Sequence, residues 1–173
     1  VTKSKWYKNP EMLIALSALF IGFLTAIISI YSAAIDRQYA RAAVWPKLEI
    51  FRSFSAHSFS YSVSNRGTGP AIIKYAIVKA DTQYIERWSD LDAFSSNVRQ
   101  SHISTTTMSS GQTIKAIEYS GELASSGIAE VDATLSIELC YCSIYDECWL
   151  VDRTNENRPV SQCDATIEHG FEQ

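Results

Sequence analysis

The chain has 173 residues, 46% hydrophobic and 20% charged, enough for one membrane segment and one domain with its own core. Its net charge of −4 is uneven: residues 118–173 carry twelve acidic and two basic side chains, against six acidic and ten basic over 36–117. The acidic C-terminal part argues against nucleic acid as a partner; it suits a solvated surface, or the steering of a basic partner or a divalent cation.

Residues 1–11 read as a short basic cytoplasmic tail with Lys3, Lys5 and Lys8. Met12 to Ile35 follows, 24 residues without Asp, Glu, Lys, Arg or His. A helix crosses a bilayer with about 20 apolar residues. Asn9-Pro10-Glu11 is a good helix start: a cap, a proline at the first helical position, and an acid at the positive end of the dipole. Nothing breaks the pattern between Gly22 and Pro46, so the helix is expected from Pro10 to about Ala43. Residues 12–35 form the transmembrane part and 36–46 a stalk bearing Asp36, Arg37 and Arg41. Trp6 and Tyr7 at one end, and Tyr31, Tyr39 and Trp45 at the other, are candidate interfacial anchors. A cleaved signal peptide competes, with Ser32-Ala33-Ala34 as a cleavage site. The apolar run exceeds the usual h-region of about 7–15 residues, so a retained single-pass anchor is expected.

Basic residues flank both ends, so the positive-inside rule does not orient the span. The cysteines do. All four follow it, in a pattern suited to disulfides, which persist outside the cytosol. The expectation is an inner (cytoplasmic) membrane protein with its N-terminus inside and a periplasmic or extracellular domain. The absence of Asn-X-Ser/Thr sequons leans towards a bacterial envelope. Ala18, Gly22 and Ala26, spaced by four, form a small-residue face that lets another helix approach closely. Ser17, Thr25, Ser29 and Ser32 can bond back to their own helix. The lack of charged residues in the span argues against ion conduction or proton relay by this helix alone.

From residue 47 the chain reads as short strands and turns. Lys47–Phe54 is a strand. Ser58–Ser64 alternates Phe59, Tyr61 and Val63 with serines, as a half-buried strand does. Residues 65–70 are turn chemistry, and Ala71–Lys79 is a central strand. Asp81-Thr82 turns into a strand over Gln83–Trp88. Ser89–Asp92 looks like a capping box opening a short helix through Leu91, Phe94 and Val98. Strands are expected over His102–Met108, Thr113–Tyr119, Ala133–Ser143 and Cys148–Asp152, with loops at 120–127 and 153–159 and a weakly ordered tail after Cys163. About seven strands joined by turns indicate a mainly β, Ig-like β-sandwich over residues 47–173.

The stretch Phe59-Ser60-Tyr61-Ser62-Val63-Ser64-Asn65-Arg66-Gly67-Thr68-Gly69-Pro70-Ala71 carries a V-x-N-x-G-x-x-x-A pattern. It resembles the hairpin of extracellular Ig-like sandwiches of the CARDB type, in this stretch only. The resemblance implies a module that binds or spaces other proteins.

Cys140, Cys142, Cys148 and Cys163 have the spacing C-x-C-x5-C-x14-C. Cys140 and Cys142 fall on one face of a strand and are poorly placed to bond each other. The expected links are Cys142–Cys148 across a hairpin and Cys140–Cys163 to the tail. A metal or redox site is the rival, but C-x-C departs from the C-x2-C of common zinc sites. His57, His102 and His169 stand apart from any motif, and there is no G-x-S-x-G elbow, P-loop or dinucleotide fingerprint. Asp146-Glu147 and Asp90/Asp92 suit turns and caps better than calcium.

No enzyme activity and no cofactor are expected. The favoured function is an accessory or structural subunit of a larger membrane complex, with integral membrane subunits and the lipid bilayer as partners. A membrane-anchored binder of an envelope ligand, and a thiol or metal protein, are the alternatives.

Overall fold

A computed structural model describes residues 10–122, 127–164 and 170–172. Lys3, Lys5, Trp6, Tyr7, Lys8 and His169 lie outside the described residues. The chain divides into two compact units, residues 1–42 and 43–173.

The first unit is built on α1, Pro10–Ala43, 34 residues with Glu11 in its first turn and Arg41 in its last. No residue of α1 is buried. Its apolar window has a mean hydropathy of 2.6, long and apolar enough to cross a membrane. Three hydroxyls bond back into it: Ser17 to the Ile14 carbonyl, Thr25 to Gly22, and Ser29 to Thr25. Each hydroxyl is thereby satisfied without water.

The second unit is a sandwich of two antiparallel sheets. Its strands are β1 (Leu48–Phe54), β2 (Ser58–Asn65), β3 (Ala71–Ala80), β4 (Gln83–Ile85), β5 (Val98–Gln100), β6 (Thr107–Met108), β7 (Thr113–Ser120), β8 (Leu135–Cys142), β9 (Cys148–Asp152) and β10 (Arg158–Val160). One sheet has the order β1-β2-β7-β5. The other has β10-β9-β8-β3-β4, with β6 beside the start of β3. Alternation places the core. On β8, Leu135, Ile137, Leu139 and Tyr141 point inward, while Ser136, Glu138, Cys140 and Cys142 take the other face. On β3 the phase changes. Ala71 and Ile73 are buried, then Ala76 and Val78. A bulge between Ile73 and Tyr75 absorbs the extra residue. Ala116 is a similar extra residue on β7, where Tyr61 pairs with Ile117 and Ser62 with Lys115.

Aromatic rings fill the space between the sheets. Phe59 meets Tyr61 at 5.2 Å between centroids, Tyr61 lies 6.3 Å from Trp88, and Trp88 meets Phe94 at 5.9 Å.

Several sequence expectations are corrected. The helix expected near Leu91 is two 3-10 turns, Trp88–Asp90 and Asp92–Phe94, separated by an extended Leu91. Asp90, not Asp92, makes the cap, accepting the Arg87 backbone N–H at 2.9 Å. Asn97, at φ 58°, turns the chain out of helical geometry, and Val98 enters β5. Only Thr107–Met108 of the Thr-rich stretch is a strand, because Thr105 adopts φ 50°. Ile128–Thr134 forms a short helix, α2, where no helix was expected. Arg158–Val160 adds β10 inside the expected loop region. The tail expected to be weakly ordered lies partly outside the described residues, and where it is described Phe171 is 1% exposed, lies 5.0 Å from Trp88, and donates its N–H to the Ala76 carbonyl at 2.8 Å.

Residues 65–70 wrap the chain where it joins the sandwich. Arg66 N–H donates to the Lys47 carbonyl at 2.7 Å, and Thr68 N–H to the Trp45 carbonyl at 2.9 Å. A Cβ at Gly67 would stand 2.2 Å from the Trp45 carbonyl oxygen, and one at Gly69 1.9 Å from that of Val44. Glycine is required at both by this close approach. Gly111 differs: its φ is +74°, but the space around it is open. Gly69→Ala is therefore expected to cost about 3 kcal/mol or more. Gly111→Ala should cost only the left-handed backbone strain, about 1 kcal/mol. Denaturant titrations followed by tryptophan fluorescence rank the two.

Candidate functional site

Among the described residues, a dense charged cluster sits where α2 meets the two sheets. Asp132, on α2, is 5% exposed. Its carboxylate accepts the Tyr61 hydroxyl from β2 and pairs with the Arg52 guanidinium from β1. Arg153, just after β9, donates to the Asp132 carboxylate at 3.1 Å and to its backbone carbonyl at 2.8 Å. Arg153 also donates to the Leu135 carbonyl, and its guanidinium lies 5.3 Å from the centre of the Tyr61 ring. One buried charge thus has three partners from three elements, as a buried ion requires. Burial, and then the bond to Asp132, push the Tyr61 phenol well above its ordinary range. A phenol held protonated and committed to a carboxylate is no nucleophile. This cluster ties the fold together.

A polar set closes the opposite end. The Asn65 side chain is fully buried and makes four bonds. Its oxygen accepts the Lys47 N–H at 3.2 Å and the Gly67 N–H at 3.0 Å. Its amide donates to the Gly69 carbonyl at 2.8 Å and the Met108 carbonyl at 3.1 Å. That is the full capacity of an amide. Asn155 binds both backbone groups of Ile50, at 2.7 and 3.1 Å, as a partner strand would. Tyr141 donates its hydroxyl to Asn157 and accepts the Leu48 N–H at 3.3 Å. Burial pushes the Tyr141 phenol up to about 12. Trp149 stacks between Tyr141 and Trp45, at 5.7 and 6.1 Å. Trp45 itself is 57% exposed.

The cysteines lie at this same end. The structure pairs Cys140 with Cys163 and Cys142 with Cys148. Cys142 and Cys148 stand directly opposite in the β8–β9 register. They close a short hairpin whose tip exposes Ile144 and Tyr145. Cys163 brings the C-terminal segment onto the outward face of β8. Sequence separations of 6 and 23 give about 2 and about 3 kcal/mol of stabilisation in the chain-entropy account. The Sγ atoms of Cys142, Cys148 and Cys163 all lie within 4.8 Å of one another. Bonded as disulfides, they offer no thiolate, which is the form that ligates a metal.

The other flagged residues are dispersed. His57 lines a surface depression of about 400 Å³ with Phe54, Ser55, Glu122 and Glu130. Ser55 there bonds the Ser58 hydroxyl at 2.7 Å. His102 reaches the Thr105 hydroxyl at 3.5 Å. Ala18, Gly22 and Ala26 are exposed along α1, and a Cβ at Gly22 would meet nothing within 4 Å. Sequence reasoning missed Asp132 and its partners. Its one signal was an acid beside apolar residues in Ile128–Thr134.

Two outcomes follow for stability. Asp132→Ala should cost about 3 kcal/mol or more, because it strands the buried Tyr61 hydroxyl and Arg153. Arg52→Ala should cost under about 1 kcal/mol, since the Arg52 side chain is half in water. Thermal melts of the two variants separate these values. The phenols set an alkaline limit. Tyr61 and Tyr141 keep protons in the folded state that the unfolded chain releases near pH 10. Their contribution is complete below about pH 10 and is lost as pH rises towards the folded value, about 12 for Tyr141. Tyr141→Phe should lower stability at neutral pH by about 1 kcal/mol yet soften the decline above pH 10. Denaturation midpoints across pH 8–12 would show both changes.

No protein-family model matches the chain, and no curated protein matches it. What stands is a long apolar N-terminal helix, a β-sandwich and two disulfides. These suggest a membrane-anchored or secreted, extracytoplasmic domain.

Proposed function

We propose that this chain is a single-pass membrane protein whose sandwich lies outside the cytoplasm and serves as a non-catalytic subunit of a larger membrane complex. One observation carries the reading: α1 spans 34 residues, is apolar over its central run, and has no buried residue. Side chains of that kind are most stable in a non-aqueous medium. Lipid provides it, and a partner helix provides it on the face of Ala18, Gly22 and Ala26. The disulfides favour a periplasmic or extracellular domain, with the N-terminus inside. The resemblance of Phe59–Ala71 to CARDB-type modules is one of sequence pattern, since β2 and β3 lie in different sheets and the expected hairpin is a crossing between them; it supports a role in contacting other proteins.

In lipid, helices associate by close packing, so a small-residue face loses its partner when it is filled. Gly22→Leu should therefore remove a stoichiometric partner from protein purified in mild detergent, while Ile28→Leu should retain it. Insertion should survive both changes, because leucine favours the bilayer. If Gly22→Leu keeps every co-purifying protein, the helix is an anchor alone and the envelope-binding alternative takes its place.

A further inference from the structure

The two disulfides do not stand apart. Cys142 Sγ lies 3.7 Å from Cys163 Sγ, although each is bonded elsewhere. That is contact between sulfurs, close to the separation from which a thiolate attacks a disulfide. Cys140, Cys142 and Cys148 are buried, whereas Cys163 is partly exposed. We propose that the four cysteines form one exchange unit: when either disulfide is opened, the chain rearranges to a Cys142–Cys163 bond.

An external dithiol gives two electrons and two protons to Cys142–Cys148 and becomes a disulfide. The Cys142 thiol ionises, and its thiolate attacks Cys163 Sγ. The Cys142–Cys163 bond forms, the Cys140–Cys163 bond breaks, and the electron pair leaves on Cys140, which takes up a proton. If the dithiol opens Cys140–Cys163 instead, the Cys163 thiolate attacks Cys142, and the pair leaves on Cys148. Both routes end with Cys142–Cys163 bonded and with Cys140 and Cys148 as thiols. The exchange itself consumes no electrons.

This arrangement has a consequence for the fold. Cys163 stays bonded to β8 in either case, so the C-terminal segment that carries Phe171 into the core stays tethered. The hairpin loses its staple, and the loop bearing Ile144 and Tyr145 is left to its hydrogen bonds, such as those to the Ser143 hydroxyl, without the disulfide. The unit is thus a redox-sensitive device that frees the hairpin before it frees the tail.

The test is Cys148→Ser, which leaves Cys142 as a standing thiol. Alkylation at pH 8 followed by non-reducing peptide mass spectrometry should find both Cys140–Cys163 and Cys142–Cys163. A second measurement takes the unmutated protein with limiting dithiothreitol. Its two-thiol species should carry the Cys142–Cys163 link, with Cys140 and Cys148 alkylated. The proposal is overturned if the two-thiol species keeps only a native pair, or if folded Cys148→Ser protein has Cys142 wholly alkylated and Cys140–Cys163 intact. The dithiothreitol measurement decides alone if the variant does not fold.

Discussion

The Asp132 carboxylate is the constraint around which one end of the sandwich is built. A charge at 5% exposure survives only with well-placed partners, and these come from β1, β2 and the residue after β9. The helix that carries it has seven residues, too few to be stable alone. Its N-cap, Gly127, offers no side chain to the helix N–H groups. α2 is held instead by what it presents: Ile128 in the core and Asp132 to the two arginines and Tyr61. Tyr61 is fixed in turn, and from it the ring contacts run through Trp88 to Phe171.

The far end meets its polar demand without charge. Where a chain crosses the mouth of a sandwich, backbone groups face inward with no ladder to join. Asn65 takes four of them, Asn155 two, and Tyr141 one. This accounts for the exacting glycines. The loop must lie against residues 44–47 for the Asn65 amide to reach both sides, and a Cβ at Gly67 or Gly69 would hold it away. An amide with all four bonds made also fixes register, since a shift by one residue would leave several of those groups unpaired.

Much of this was legible in the residues. α1 follows from an apolar run with a start signal at Pro10 and no breaker before Pro46. β2 follows from strict alternation, and the sandwich from the spacing of strands and turns. The alternation that sets Cys140 and Cys142 on one face also leaves them poorly placed to bond each other within the strand, and each pairs elsewhere. What stayed hidden depends on distant partners. The bulge on β3 leaves no trace in its composition. α2 is too short for a periodic signal and is stabilised by Arg52 and Arg153, 80 and 21 residues away. Leu91, Phe94 and Val98 have helical spacing, yet tertiary contacts draw Phe94 into the core and Val98 onto β7. Phe171 reads as part of a polar tail until β3 offers it a backbone partner.

The two units resolve their contact with water in different ways. The sandwich closes on itself, with Leu48, Phe59, Ala71, Trp88 and Leu139 wholly withdrawn from solvent. α1 withdraws nothing: Leu19, Phe20, Phe23 and Ile30 are all at least 60% exposed. At about 25 cal/mol for each Å² of apolar surface, leaving such a helix in water is costly. The stability of the sandwich rests on Asp132, Asn65 and the disulfides, all in its interior or at its ends. What α1 presents is apolar surface, and withdrawing that surface from water, into lipid or against a packing partner, is favourable.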